Sequence, residues 1–393
     1  MYANENGPQS LYRRITDNIH ELRGFFSWDK LWHADGYNDE QLAWMLFVDG
    51  CAVLQILKKA NPSKPEALKV KVDILLLVLR DLFLLENQLP YNLLWLLGKD
   101  EARFKEEAKF KESMFCFCEL QNMFIILESP QRFREEKDRT KRMIRDNTPT
   151  HLLDCLRTII LISDEVELSM PGDVGTTGDL NESEASNTST FSDVARIYAN
   201  RKINEKYTSY RNIQELKTAA IRVKRQKNIS LTNISFSSSL FGGKWHLPPL
   251  RLDDSTIPTL LNLVAYEMCP DFKNKYEICS YVKLLDLLID YPEDVKELRS
   301  SGILHNSLGS DEEVVELFNT ISCGLVYNPF LYSGIRAEVE KHYKRKLSIW
   351  MAEAYYTYFK SPWTLIALLA AVLALVFSAL QTWKQIEPDS KSF

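Results

Sequence analysis

The sequence predicts a mainly α-helical protein with a small antiparallel β element and a single C-terminal transmembrane helix. Three observations carry that prediction. Leucine-rich segments with a period near 3.6 residues fill most of the first 165 positions. Short runs of alternating apolar and polar residues cluster between 221 and 252. Residues 363–380, WTLIALLAAVLALVFSAL, form one apolar run with no charge, glycine or proline.

Asp39 can cap a helix reaching Lys59, with Leu42, Met45, Leu46, Val53, Ile56 and Leu57 on one face. Asn61-Pro62 ends it. Lys69 to Leu85 and Pro90 to Leu97 read as two further apolar helices joined at Glu86-Asn87-Gln88. Glu106 to Leu127 and Thr150 to Ser163 complete a helical N-terminal part, residues 1–163. Residues 164–195 read as an acidic flexible insert, because 164–193 hold eight acidic residues and no Lys or Arg.

The α+β C-terminal part, 196–360, opens with ten basic residues between Arg196 and Lys227, against Glu205 and Glu215. Ile221–Lys224, Asn233–Phe236 and Lys244–Leu247 alternate as strands, with Gly242-Gly243 as a turn and Leu250–Leu252 as a fourth strand. Asp254, Ser255 and Thr256 supply capping side chains for a helix to Cys269. Ser280–Ile289 is helical, Pro292–Ser300 is a short helix that Gly302 can close, and Ser310 caps Asp311–Ile321 with Glu313 as its capping-box partner. A long helix, Arg336–Phe359, leads to the membrane segment at 361–383 and a short tail at 384–393.

From Trp363 to Trp383 a helix is about 30 Å long, the thickness of a hydrocarbon core. Trp363 and Trp383 suit the two interfaces, with Lys360 and Lys384 outside them. Lys341, Lys344, Arg345, Lys346 and Lys360 lie upstream, whereas Lys384 and Lys391 lie downstream beside Glu387 and Asp389. Basic flanks stay cytosolic, so a tail-anchored, single-pass protein with a cytosolic N-terminal domain is expected. The N-terminus shows no signal peptide. Seven irregularly spaced cysteines fit free thiols in a reducing compartment. A net charge of -5 argues against nucleic acid as a partner.

Hydrolase, zinc-protease, dinucleotide and phosphate-loop motifs are absent. Cys116-Phe117-Cys118 places its thiols on different helix faces, so no metal or other cofactor is expected. His151 and Asp154 lie one turn apart, either a local hydrogen bond or an oriented general base. Asp49, Arg80, Asp81, Glu86, Asn87 and Gln88 interrupt apolar helices. They are expected to form a structural polar core, with Arg80 meeting Asp49 or a neighbouring carboxylate.

These polar positions fall within a set of longer motifs. They include MLFVDGCAVLQIL (Met45–Leu57), LRDLFLLENQLPYNLL (Leu79–Leu94), HLLDCLR (His151–Arg157) and AAIRVKR (Ala219–Arg225). LPPLRLDDSTIPTLLNLVAYE (Leu247–Glu267), the stretch Ser280–Asn319 and SPWTLIALLAAVLALVFSALQT (Ser361–Thr382) continue the set. Across 39–383 the chain resembles the plant membrane-protein family called domain of unknown function two-four-seven. Many members carry a Gly-Pro-aromatic-His-His-Gly segment ahead of the first helices. Its absence here suggests a shorter subgroup or a truncated N-terminus, and any role of that segment does not carry over. The resemblance implies a mostly helical, single-span plant protein and supplies no enzymatic mechanism.

The reading is therefore a membrane-anchored interaction or recognition protein, with the lipid bilayer and an unidentified protein as partners. Two alternatives remain: a membrane-tethered enzyme using buried carboxylates and His151, and peripheral binding of anionic lipid through residues 196–227.

Overall fold

The computed structural model describes residues 7–26, 38–59, 71–100, 104, 106–125, 148–161, 211–227, 230–239, 242–270, 272, 275–344 and 362–386. The N-terminal elements are α1 (Pro8–Asp17), α2 (Ile19–Arg23), α3 (Asp39–Lys59), α4 (Val72–Asp81), a 3-10 turn (Leu85–Asn87), α5 (Tyr91–Gly98), α6 (Glu107–Ile125) and α7 (Leu152–Leu161). There follow α8 (Ile213–Thr218), β1 (Ile221–Arg225), β2 (Ser235–Ser239), β3 (Gly242–Leu247), β4 (Leu250–Leu252), α9 (Thr256–Glu267), α10 (Glu277–Leu288) and α11 (Pro292–Ser300). The remainder are β5 (Leu304–Asn306), α12 (Asp311–Ser322), α13 (Ser333–Tyr343) and α14 (Pro362–Ile386). The acidic insert, Lys360, the stretch of the long helix beyond 344 and the tail after 386 lie outside the described residues.

The start of α3 differs by one residue from its expected cap. The Asn38 side chain accepts from the Gln41 N–H at 2.8 Å, and the Gln41 side chain accepts from the Asn38 N–H at 3.1 Å. This is a reciprocal cap that satisfies two backbone donors. The buried side of α3 runs through Leu42, Ala43, Leu46, Gly50, Val53, Leu54 and Leu57. Gly50 lets α5 approach closely, since a Cβ there would lie 2.5 Å from Leu97 Cδ1. That seam leaves Asp49 exposed, which corrects its assignment to the polar core.

The β element is mixed rather than antiparallel. Its order is β1-β3-β2, with β2 antiparallel and β1 parallel to β3. Alternation marks strands but not their order, and here β3 inserts between β1 and β2. Gly243 makes room for it, because a Cβ would sit 2.6 Å from Phe236 Cζ and 3.2 Å from Ile221 Cγ1. Gly242-Gly243 therefore opens a central strand instead of forming the turn. A second sheet pairs β4 with β5 in parallel, Leu250 against Leu304. Three residues are too few for β5 to show alternation.

The end caps follow expectation more closely. Ser310 accepts from the Glu313 N–H at 3.2 Å at the start of α12. Gly302 takes φ +70° behind α11. At α9 the cap moves back to Asp253, whose carboxylate accepts from the Ser255 and Thr256 N–H groups at 2.9 and 2.8 Å. The buried apolar residues form one cluster that includes α3, α5, α6 and α7 together with the sheet and α9–α12.

Among the described residues two helices are long and apolar enough to cross a membrane, α3 and α14. In α3 one side is packed into the core. In α14 none of the segment Ile366–Trp383 is buried.

Candidate functional site

One connected set of described polar groups lies where the N-terminal helices meet α9 and α10. Gln88 is the first link. Its Nε2 donates to the carbonyls of Leu82 and Leu84 at 2.9 and 2.7 Å, and its Oε1 accepts from the Leu153 N–H at 2.8 Å. One amide thus fastens the turn after α4 to the first turn of α7. The Asn87 side chain donates to the Asp81 carbonyl at 2.9 Å. Nearby, the Leu85 N–H donates to Asn262 Oδ1 at 2.7 Å, which joins the same turn to α9.

His151 sits just ahead of α7. Its Nδ1 accepts from the Asp154 N–H at 3.1 Å, while Asp154 accepts from the Thr150 N–H at 2.9 Å. Imidazole and carboxylate therefore cap the helix start by turns. The His151 ring packs edge-on to Tyr266, with centroids 4.7 Å apart. Burial lowers its pKa to about 4, and the Asp154 charge only partly opposes this. At neutral pH the ring is uncharged, with its Nδ1 lone pair already used.

Arg157, one turn and a half further along α7, reaches across to α9 and α10. It donates through Nε to Glu267 at 2.8 Å and through Nη2 to Glu277 at 2.5 Å. Glu267 is fully buried. Its two oxygens also accept from the Ile278 and Cys279 N–H groups at 3.2 and 2.9 Å, so the carboxylate rests on the N-terminal turn of α10. The guanidinium lies 5.1 Å from the centroid of Phe272, which stacks on Tyr266 at 4.1 Å. Burial and then the Glu267 charge push the Cys279 thiol up, which keeps it protonated and a poor nucleophile.

The sequence-predicted polar core is only partly assembled here. Gln88 belongs to the seam and Asn87 borders it. Asp49, Glu86 and Asn87 are exposed. Arg80 meets Asp81, its neighbour in sequence, at 3.4 Å, and both are half-exposed. Asp49 is therefore not the partner of Arg80. The groups that do meet in the interior, Arg157, Glu267 and Glu277, are 110 and 120 residues apart in sequence, and no local spacing could have joined them.

Among the described residues no group of three or more His, Cys, Asp or Glu could hold a metal ion. None of the seven cysteines forms a disulfide. A shallow groove of about 670 Å³ lies elsewhere, lined by Pro292, Val315, Glu316, Asn319 and Cys323 among others, and none of the candidate polar residues lines it. Of the membrane-interface candidates, Trp363 and Trp383 are strongly exposed at the two ends of the apolar stretch, and Lys384 falls within α14.

The described residues make a mainly helical protein with a small mixed sheet, a buried charged seam and an apolar C-terminal helix. The family it matches, over residues 2–377, is described as a plant protein of unknown function (DUF247), and the chain belongs to that family. It is similar to the UPF0481 protein At3g47200 of Arabidopsis thaliana, 26% identical over 87% of this chain and 67% of that protein. It is also similar to a second Arabidopsis thaliana protein of the UPF0481 type, At3g02645, 30% identical over 44% of this chain. That match spans 33% of the second protein's length. No solved structure matches.

Proposed function

We propose that this is a membrane-anchored, single-pass protein whose described domain serves recognition or interaction rather than catalysis. The observation that carries the reading is α14. A segment of 18 residues, Ile366–Trp383, is apolar and none of it is buried against the protein. In water such a surface is strongly unfavourable, and a lipid core relieves it. Supporting this, Trp363 and Trp383 bracket the segment at 78% and 74% exposure, as residues at lipid interfaces do. The excess of cations upstream favours a cytosolic N-terminal domain. The non-catalytic part rests on the seam. Its acids and its histidine are occupied in capping and ion pairing, and the exposed carboxylates Asp49 and Glu86 are set on separate elements.

The test is flotation of the full-length chain with vesicles of neutral phosphatidylcholine. Flotation that survives alkaline carbonate is expected. A chain that stays in the soluble fraction would overturn the anchor. Protease protection of a C-terminal tag in sealed vesicles then reads the orientation.

A further inference from the structure

The three-stranded sheet has one face turned inward and one turned to solvent. Inward go Ile221, Val223, Trp245 and Leu247, all buried. The register sets the other face in two rows. Arg222, Lys244 and Ser237 lie side by side, as do Lys224, His246 and Ser235. Arg222, Lys224 and Lys244 are exposed, and none of them has an ion-pair partner among the described residues. Adjacent strands are about 4.8 Å apart and alternate residues about 7 Å, so three cations share a small flat area. Arg222 directly opposite Lys244 is a like-charge pair, which weakens a sheet. His246 registers the same field, since burial and then Lys244 and Lys224 lower its pKa.

The opposite side of this sheet leads towards the apolar helix. Helix α13 packs on β2 and β3. His342 Nδ1 lies 2.8 Å from Ser238 Oγ, and its ring is edge-on to Phe236. Arg211 ties α13 to the start of α8 by pairing with Glu340 at 3.1 Å and lying 3.5 Å over the Tyr343 ring. Between Lys344 and Pro362 lie 17 residues. Fully extended they reach about 60 Å, and as a helix about 26 Å. The sheet is thus tethered within about 60 Å of any bilayer that α14 enters.

We propose that the face formed by Arg222, Lys224, Lys244 and His246 binds the headgroups of anionic phospholipid, holding the sheet down on the membrane beside the anchor. This rests on the anchoring role of α14. A flat array of unpaired cations, with serine hydroxyls in the same rows, suits a planar surface of negative charge. Close tethering makes weak individual contacts effective through high local concentration. The site extends beyond the basic segment 196–227, because Lys244 and His246 come from β3.

The experiment uses the full-length chain on neutral phosphatidylcholine vesicles and on vesicles with phosphatidylserine added. Acetylation of Lys224 and Lys244 by an amine reagent is read by mass spectrometry against the exposed Lys296. Both sheet lysines should become protected on the anionic vesicles, and high salt should remove that protection. Arg222→Gln keeps both probes and should weaken the protection about fivefold. Equal labelling on the two vesicle types, or protection indifferent to salt and to Arg222→Gln, would overturn the proposal. Flotation with the neutral vesicles reports the anchor independently of these charges. If that flotation fails, recovery with anionic vesicles alone, abolished in the triple variant Arg222→Gln/Lys224→Gln/Lys244→Gln, still supports the face. No recovery there overturns it.

Discussion

Arg157 and Asp49 make opposite predictions about a lost charge. Arg157 neutralises a fully buried carboxylate, so Arg157→Ala leaves Glu267 without its cation and should cost about 3–5 kcal/mol. Asp49 faces solvent, and Asp49→Ala should change stability by less than about 0.5 kcal/mol. Urea unfolding of both variants checks the contrast, and equal losses would contradict this placement of the charges. His151 predicts a pH dependence. Its folded pKa is about 4, below the ordinary 6.5, so the unfolded chain takes up the proton first. The stability that depends on a neutral ring is complete above about pH 6.5 and declines as the pH falls towards 4, by about 3 kcal/mol in all. His151→Asn retains a capping acceptor without the titration. Thermal melts between pH 4 and 7 should show a shallower decline for that variant than for the parent chain.

At the scale of elements, the helices and most of the strands were legible because burial imposes a period. The misreading of Asp49 came from the same signal. The seam of α3 passes through Gly50, which adds nothing to an apolar count although the neighbouring helix packs directly against it. Without that glycine the buried stripe shifts by about one residue, and Asp49 falls on its edge. Strand order was not legible, because β1 and β3 meet across an intervening strand in sequence. The Arg157 seam was not legible either. Arg157 and Glu267 lie in motifs that carried the family resemblance, yet nothing local pairs α7 with α9 and α10. Gly243→Ala should destabilise the central strand by about 1–3 kcal/mol, since the new methyl group meets the Phe236 ring. Gly334→Ala, where nothing lies within 4 Å of the new Cβ, is the control, and chemical denaturation compares the two.

For the whole molecule, the apolar cluster crosses the acidic insert's position in the chain and joins the residues on either side. The sequence suggested two folded parts separated by that insert. A shared core, with Arg157 bonded to Glu267 and Glu277 and Asn262 to Leu85 across the insert, predicts joint unfolding instead. Near-ultraviolet circular dichroism and far-ultraviolet circular dichroism should therefore show coincident thermal transitions for the full-length chain in detergent. Two separated transitions would restore the division. Loss of α14 should leave this transition nearly in place, because its apolar segment contributes nothing to the core.

Glu267 closes one helix and serves the start of the next, and this has a consequence for the order of assembly. At the C-terminal end of α9 a carboxylate opposes the helix dipole, so α9 alone gains nothing from it. The gain arrives only when the first turn of α10 supplies its N–H groups and Arg157 arrives from 110 residues away. Local helices can form before that meeting, but the dehydration of Glu267 has to wait for it. Contacts of this kind are expected to form late on a folding pathway. Weakening them hastens escape from the native state while leaving the rate of entry nearly unchanged. The seam therefore governs how long the folded protein lasts more than how quickly it appears.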